Sequence, residues 1–308
     1  MLENMNNIVN DILFIQKMDL SHIISKEYPI QIQHAMYFGA YWLYYYVFIH
    51  ILYYVGGLVM ITMFKTFYPK AGTLKISREL IIEQIKLSEV AFPLYCAIPA
   101  LTMLFVRLGI SKLRDSIEDT GGYAKSILYF SIYLFLVEGM IYYVHYWLLH
   151  KWKWGKDHLK HDLHHSYKHE SEMATWSGYA FEAIDGALQG LPLVIGTLII
   201  PIPTIFYALS GAFIGMWTMY IHTGTSVKLP WPLMGSDYHL IHHVYNWYNF
   251  GLYTMFWDWL FGTLKHPSSK VDHFIQQTKE NPKSLEELHT MFHSDDVFNS
   301  KNMKRKKK

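Results

Sequence analysis

The chain has 308 residues and a formal net charge of +2, with 27 Lys and Arg against 25 Asp and Glu. Hydrophobic residues make up 51% and charged residues only 17%, below the roughly 25% charged of a soluble domain; this points to a membrane protein, and no basic patch interleaved with aromatics suggests a nucleic-acid partner. The single cysteine, Cys96, excludes an internal disulfide and a cysteine-built metal site.

Residues 1–34 read as a polar N-terminal segment without the basic-then-apolar pattern of a secretory signal. Residues 35–64 carry no Asp, Glu, Lys or Arg and a single His. A bilayer crossing needs about 20 apolar helical residues, so this run crosses with tilt. A second run, "VAFPLYCAIPALTMLFV" (90–106), is shorter, and Pro93 and Pro99 are expected to break it. A third, 126–144, holds one acid, Glu138. Residues 187–221 are interrupted at "PIP" (201–203), which predicts two helices joined by a tight turn. The expected fold is all-α: an integral membrane protein of four to five transmembrane helices. The membrane domain spans 35–266, and a C-terminal cytosolic tail, lysine-rich over its last ten residues, follows over 267–308.

The loop after the first run carries Lys65, Lys70, Lys75, Arg78 and Lys86 against Glu79 and Glu83, and the chain ends "KNMKRKKK". By the positive-inside rule both face the cytosol. Counting crossings, His145 and every later histidine cluster then share one cytosolic face. Lys304 and Lys306 fit a dilysine retrieval pattern, which requires a cytosolic tail; attraction to anionic lipid is the other reading.

Of 18 histidines, 11 fall between His145 and His243. His161, His164 and His165 are spaced i, i+3, i+4, and so are His239, His242 and His243. That spacing predicts three imidazoles on one helical face, where neutral rings ligate iron, zinc or copper. His145 and His150, five apart, point about 140° apart on a regular α-helix. They converge if the helix ends or bulges between them, and a helix ending there is the expectation. His222, in "YIHTG", returns to the same face at the end of the hairpin. His158 shares the face of His161, and Asp162 stands among the ligands as a candidate partner for an imidazole N–H. His22, His50, His169, His266, His273, His289 and His293 read as isolated surface or core histidines.

The blocks "VHYWLLH", "HDLHH", "AFEAIDGALQGLP", "MWTMYIHTG", "MGSDYHLIHH" and "YNFGLYTMFWDWLFGT" resemble, in order and spacing, the fatty acid hydroxylase superfamily of membrane di-iron enzymes. Within it they are most similar to the sterol C-5 desaturase (lathosterol oxidase) branch, over about residues 80–266. Two features depart from that branch. Four residues separate His145 from His150 where three are usual, and Glu182-Ala183 stands where His-Pro is usual. Glu182 is therefore expected to act as a carboxylate ligand or proton carrier, to mark a changed substrate, or else to lie on the surface. Asp258, in "FWDWLFG", matches a family residue and is expected to be structural.

The resemblance implies an endoplasmic reticulum enzyme with a transmembrane stem and a cytosolic histidine cap. It implies two iron ions, O₂, and electrons from NAD(P)H through cytochrome b5 and its reductase, the b5 being a separate protein. The substrate would be a membrane lipid, most simply a sterol receiving its C-5 double bond. A sterol C4-methyl oxidase and a fatty acyl or sphingolipid hydroxylase share the same site chemistry. A non-catalytic membrane metal-binding or transport protein is the alternative of another class, but transport needs ionisable groups lining the membrane helices, and only His50 and Glu138 qualify.

Overall fold

A computed structural model describes residues 23–69, 75–169, 171–225, 227 and 229–268. The expectations placed on His22, His273, His289, His293 and the lysine tail lie outside those residues. The described residues form an all-α fold. Helix α1 (Ile30–Phe67) packs along α2 (Arg78–Arg107), and α2 packs along α6 (Ala183–Ile199). Helix α3 (Tyr123–Tyr143) packs against α6, and α7 (Thr204–Ile221) completes the bundle beside α1.

The pattern along α1 explains its place. Tyr37, Tyr41, Tyr45 and Tyr53 are buried at helical spacing, while Leu43, Val47, Ile51 and Val55 are exposed on another face. A helix apolar on its outer face as well as its inner one is of the kind that lipid can solvate. Among the described residues, four helices are long and apolar enough to cross a membrane: α1, α2, α3 with its continuation to Lys151, and α7. Helix α6, at 17 residues, is a shorter apolar helix. The hairpin expected over 187–221 is α6 and α7, parted at Ile200–Pro203.

One expectation fails in the second run. Helix α2 continues through both Pro93 and Pro99 for 30 residues. Proline removes one backbone donor and tilts the helix locally, but the neighbouring helices hold the axis: Trp42 Nε1 of α1 donates to the Pro93 carbonyl at 2.7 Å.

The cap follows α3. Two short helices, α4 (Lys153–His158) and α5 (His161–His164), lead into a 3₁₀ turn over Thr175–Tyr179. After α7 come α8 (Ser236–Tyr245) and α9 (Phe256–Phe261). Linked hydroxyls of Thr223, Thr225 and Ser236, 3.0 and 3.1 Å apart in turn, tie the end of α7 to the start of α8.

Candidate metal centre

Helix α3 does not end where the cap begins. It passes into a π-helix over Val144–Lys151. A π-helix closes i→i+5 hydrogen bonds, so residues five apart stack on one side. His145 and His150 are therefore brought together, with ring centroids 5.0 Å apart. The expected helix end is replaced by a bulge, and the four-residue gap between these histidines is its signature. Gly155 makes the geometry possible: a Cβ there would stand 1.8 Å from the Leu148 carbonyl oxygen.

The expectation that each HxxHH lies on one face also changes. Helix α5 is a single turn with His165 at its C-cap. His161 and His165 join His145, His150 and His242 in one group of five. His164 joins His222, His239 and His243 in a group of four. Each HxxHH thus gives its i, i+4 pair to one group and its i+3 histidine to the other. Within each group the ligand atoms lie within 4.8 Å of one another. The groups adjoin, with the His165 and His243 rings 4.6 Å apart. All nine histidines singled out in the sequence are brought together here.

The hydrogen bonds behind these rings fix their tautomers. Nδ1–H donates from His145 to the Phe250 carbonyl (2.8 Å), from His242 to that of Tyr248 (2.8 Å) and from His243 to that of Tyr167 (2.9 Å). His164 and His222 donate likewise to Ala180 and Thr218. His161 Nδ1 donates to Asp185 Oδ2 at 2.7 Å, both residues being buried. Each of these rings keeps a bare lone pair on Nε2. Yet Nε2 of His145 lies 3.1 Å from Nε2 of His161, and Nε2 of His222 lies 3.1 Å from Nε2 of His164. Two bare lone pairs cannot hydrogen-bond to each other, but they can share a cation. His242 Nε2 and His150 Nε2 are also buried without a partner in the protein, a costly state that a metal relieves. A spacing near 3 Å matches neighbouring ligands at right angles about an ion roughly 2.1 Å away, and five nitrogens in one group exceed a tetrahedral set. Both clusters are capable of coordinating a metal ion, and the pair is consistent with a di-iron site.

Burial, then crowding by neighbouring imidazoles, holds His164, His165, His239, His242 and His243 well below the usual histidine range. Burial takes His222 down to about 4. The rings are therefore neutral at physiological pH, the form that binds metal.

The other candidates lie outside the clusters. Glu182 caps α6, its Oε2 accepting from Ile184 N at 2.7 Å, and it belongs to neither group. An acid at the N-cap turns back onto the first turn rather than inward. His158 is exposed and bonds to the Trp154 carbonyl at 2.9 Å, and Asp162 is exposed. The carboxylate that does support a ligand is Asp185, a residue the sequence reading passed over. Its Oδ1 accepts from Gln189 Nε2 at 3.0 Å. This i, i+4 polar pair in an otherwise apolar helix is the signal that could have found it. His50 pairs with Glu89 (3.0 Å), and His266 Nδ1 lies 2.9 Å from the Tyr238 hydroxyl, both away from the clusters. His169 is also outside them.

Two buried acids fix the loop that supplies the carbonyls for His145 and His242. Asp258 accepts from Phe250 N (2.8 Å), Gly251 N (2.9 Å) and the Thr263 hydroxyl (2.7 Å). Glu138 accepts from the N–H groups of Leu252, Tyr253 and Thr254 at 2.7–3.1 Å. Asp258 is structural, as the sequence suggested. Glu138 serves the same loop.

A cavity opens beneath the clusters between α1, α2, α6 and α7, and it reaches His145, His164, His222 and His239. Phe181 roofs it, stacked on His164 at 3.7 Å.

A fatty acid hydroxylase family model matches residues 130–263, from within α3 to just beyond α9, a stretch that contains all nine histidines. The chain is 34% identical over 281 residues to an Arabidopsis thaliana protein provisionally named Delta(7)-sterol-C5(6)-desaturase 2, covering 89% of this chain and 97% of that one. It is 35% identical over 191 residues to Delta(7)-sterol-C5(6)-desaturase of Nicotiana tabacum, covering 62% and 69%. It is 30% identical over 208 residues to mouse (Mus musculus) lathosterol oxidase, covering 66% and 65%. No solved structure matches it significantly. With the histidine clusters in the matched stretch, the chain belongs to the fatty acid hydroxylase superfamily and is homologous, within it, to the sterol C5(6)-desaturases and lathosterol oxidases.

Proposed function

We propose that this chain is an O₂-dependent oxidoreductase of the endoplasmic reticulum membrane that introduces the C-5 double bond into a Δ7-sterol. The observation that carries the reading is the junction of two adjacent imidazole clusters with one cavity set among apolar helices. A metal pair that meets a lipid-lined cavity suits oxidation of a lipid. The names of the relatives support a sterol, and C-5, as the target.

In this reading His145, His150, His161, His165 and His242 hold one iron, and His164, His222, His239 and His243 hold the other. Bound there, the iron pair would activate O₂ and take hydrogen from an unactivated C–H bond. Two hydrogens leave the sterol, and O₂ becomes two waters with two further electrons and two protons. Those electrons come from NAD(P)H through cytochrome b5 and its reductase. The chain's own part is to fix the geometry. Asp185 and the carbonyls of Phe250, Tyr248, Tyr167, Ala180 and Thr218 hold Nδ1 protonated and aim Nε2 inward. Burial of the rings keeps bulk water from the reacting centre. Lys151, Lys153, Lys156 and Lys160 gather where α3 enters the cap, which supports a cytosolic cap. Exposed Trp147, Trp152 and Trp154 beside them suit the bilayer interface.

The test is reconstitution. Purified protein in nanodiscs receives cytochrome b5, its reductase, NADH and cholest-7-en-3β-ol. The expected product is the conjugated Δ5,7-diene, formed only with O₂ and NADH. An oxygenated sterol in its place would overturn the desaturase assignment, and no product from the iron-loaded protein would overturn the substrate.

A further inference from the structure

The cavity below the clusters has a polar feature that ligand geometry does not use. Tyr95, from α2, lines it, and the Tyr95 hydroxyl is buried without a hydrogen-bond partner in the protein. Among the described residues it is the one cavity-lining side chain, histidines aside, in that condition. Buried hydroxyls are almost always bonded, so an orphan aimed into a cavity points to a ligand that completes it. Its position is tightly defined. A Cβ on Gly186 would lie 2.1 Å from this hydroxyl, so only glycine lets the group sit against α6. Gly186 adjoins Asp185, which holds His161, so the hydroxyl stands at the metal end of the cavity. Gln189 also lines the cavity, three residues on from Gly186 and on the same helical face. Its Nε2 is given to Asp185, which leaves the amide oxygen as an acceptor.

From there the cavity extends away from the metals. It reaches Tyr207, which is 15 residues before His222 on α7, or about 22 Å at 1.5 Å per residue. Between the two ends the wall is apolar, with Ile98, Leu193 and Ile214.

We propose that the Tyr95 hydroxyl, with the Gln189 amide oxygen, anchors the single hydroxyl group of the lipid substrate at the metal end, while its hydrocarbon runs along α7 towards Tyr207. The inference rests on the sterol reading above and deepens it. A 3β-hydroxysterol bound this way presents carbons a few bonds from its C3 hydroxyl to the clusters, and C5 is two bonds from C3. A lipid oxidised at the far end of its chain would need the opposite orientation.

The test is equilibrium binding of radiolabelled cholest-7-en-3β-ol and of its 3-deoxy analogue, cholest-7-ene, to the full chain in detergent. Wild type is expected to prefer the hydroxysterol by ~10-fold, the size of one hydrogen bond of about 1.4 kcal/mol. Tyr95→Phe is expected to bind the two within ~2-fold and to keep the wild-type melting temperature, because the deleted hydroxyl has no partner in the protein. An undiminished preference in Tyr95→Phe, or no preference in wild type, would overturn the anchor. If wild type still formed the diene in that case, the sterol reading would stand alone. If wild type bound neither sterol and formed no diene, both would fall.

Discussion

Asp185 Oδ2 accepts the Nδ1 proton of His161 at 2.7 Å, with both side chains buried and Gln189 on the other carboxylate oxygen. This link crosses from α6 to α5 and sets one ligand of the five-histidine cluster. Asp185→Asn removes the acceptor charge and is expected to weaken metal binding at that cluster by roughly 10–100-fold. Elemental analysis after mild chelation should fall from two ions per chain towards one. Glu182→Gln should leave the content at two, because Glu182 belongs to neither cluster and its carboxylate caps the start of its own helix.

Glu138 supports the same cluster from below. Its Oε1 satisfies three consecutive backbone N–H groups. Glu138→Ala strands those donors at about 1–3 kcal/mol each, so a loss of more than ~3 kcal/mol is expected. Glu138→Gln keeps an acceptor oxygen and should cost less. Melting temperatures in detergent, compared across the pair, test this; equal losses would contradict it.

Gly155 lies against the π-helix. Gly155→Ala places a methyl 1.8 Å from the Leu148 carbonyl oxygen, so the backbone must move and carry His150 with it. The expected outcome is a destabilised protein whose five-histidine site loses its ion before the four-histidine site does. A variant with two tightly held ions would show that the bulge does not set His150.

The metal-free protein should lose stability on acidification. Six cluster histidines outside α3 have folded-state pKa values below the unfolded value of about 6.5, with His222 at about 4. Below pH 6.5 the unfolded chain takes up protons that the folded chain refuses. The stability present above that pH is lost as pH falls, by up to about 1.4 kcal/mol per group per pH unit. Asp258, raised to about 6 by its burial, works in the opposite sense but is a single group. Melting temperature should therefore drop clearly between pH 7.5 and 5.5. A flat profile would contradict the neutral, buried clusters.

Much of this was legible in the sequence for physical reasons. A helix long enough to cross a bilayer shows as a long apolar run, so α1, α3 and the α6–α7 hairpin stood out by run length. Histidines grouped in twos and threes stand out in any sequence, so all nine members of the two clusters were visible. What was hidden depended on tertiary context. Nothing in the apolar pattern of "VHYWLLHK" distinguishes i→i+4 from i→i+5 bonding; only the histidine spacing hinted at the bulge. The i, i+3, i+4 triplets read as one face because residues three and four on each lie within about 60° of the first, but they fall on opposite sides of it, about 100° apart. The two sides enter different histidine clusters. Glu182 stood out over Asp185 because it departs from the family pattern that the chain otherwise resembles. Three residues further on, the helix turns Asp185 inward and leaves its cap facing out.

The most direct measurement is the sterol profile of a host lacking its own sterol C-5 desaturase and expressing this chain. Δ5,7-sterols are expected to appear at the expense of Δ7-sterols with the wild type, and to be absent with His242→Ala present in the membrane at equal abundance. Unchanged Δ7-sterols in cells whose purified wild-type protein carries both metal ions would contradict the account.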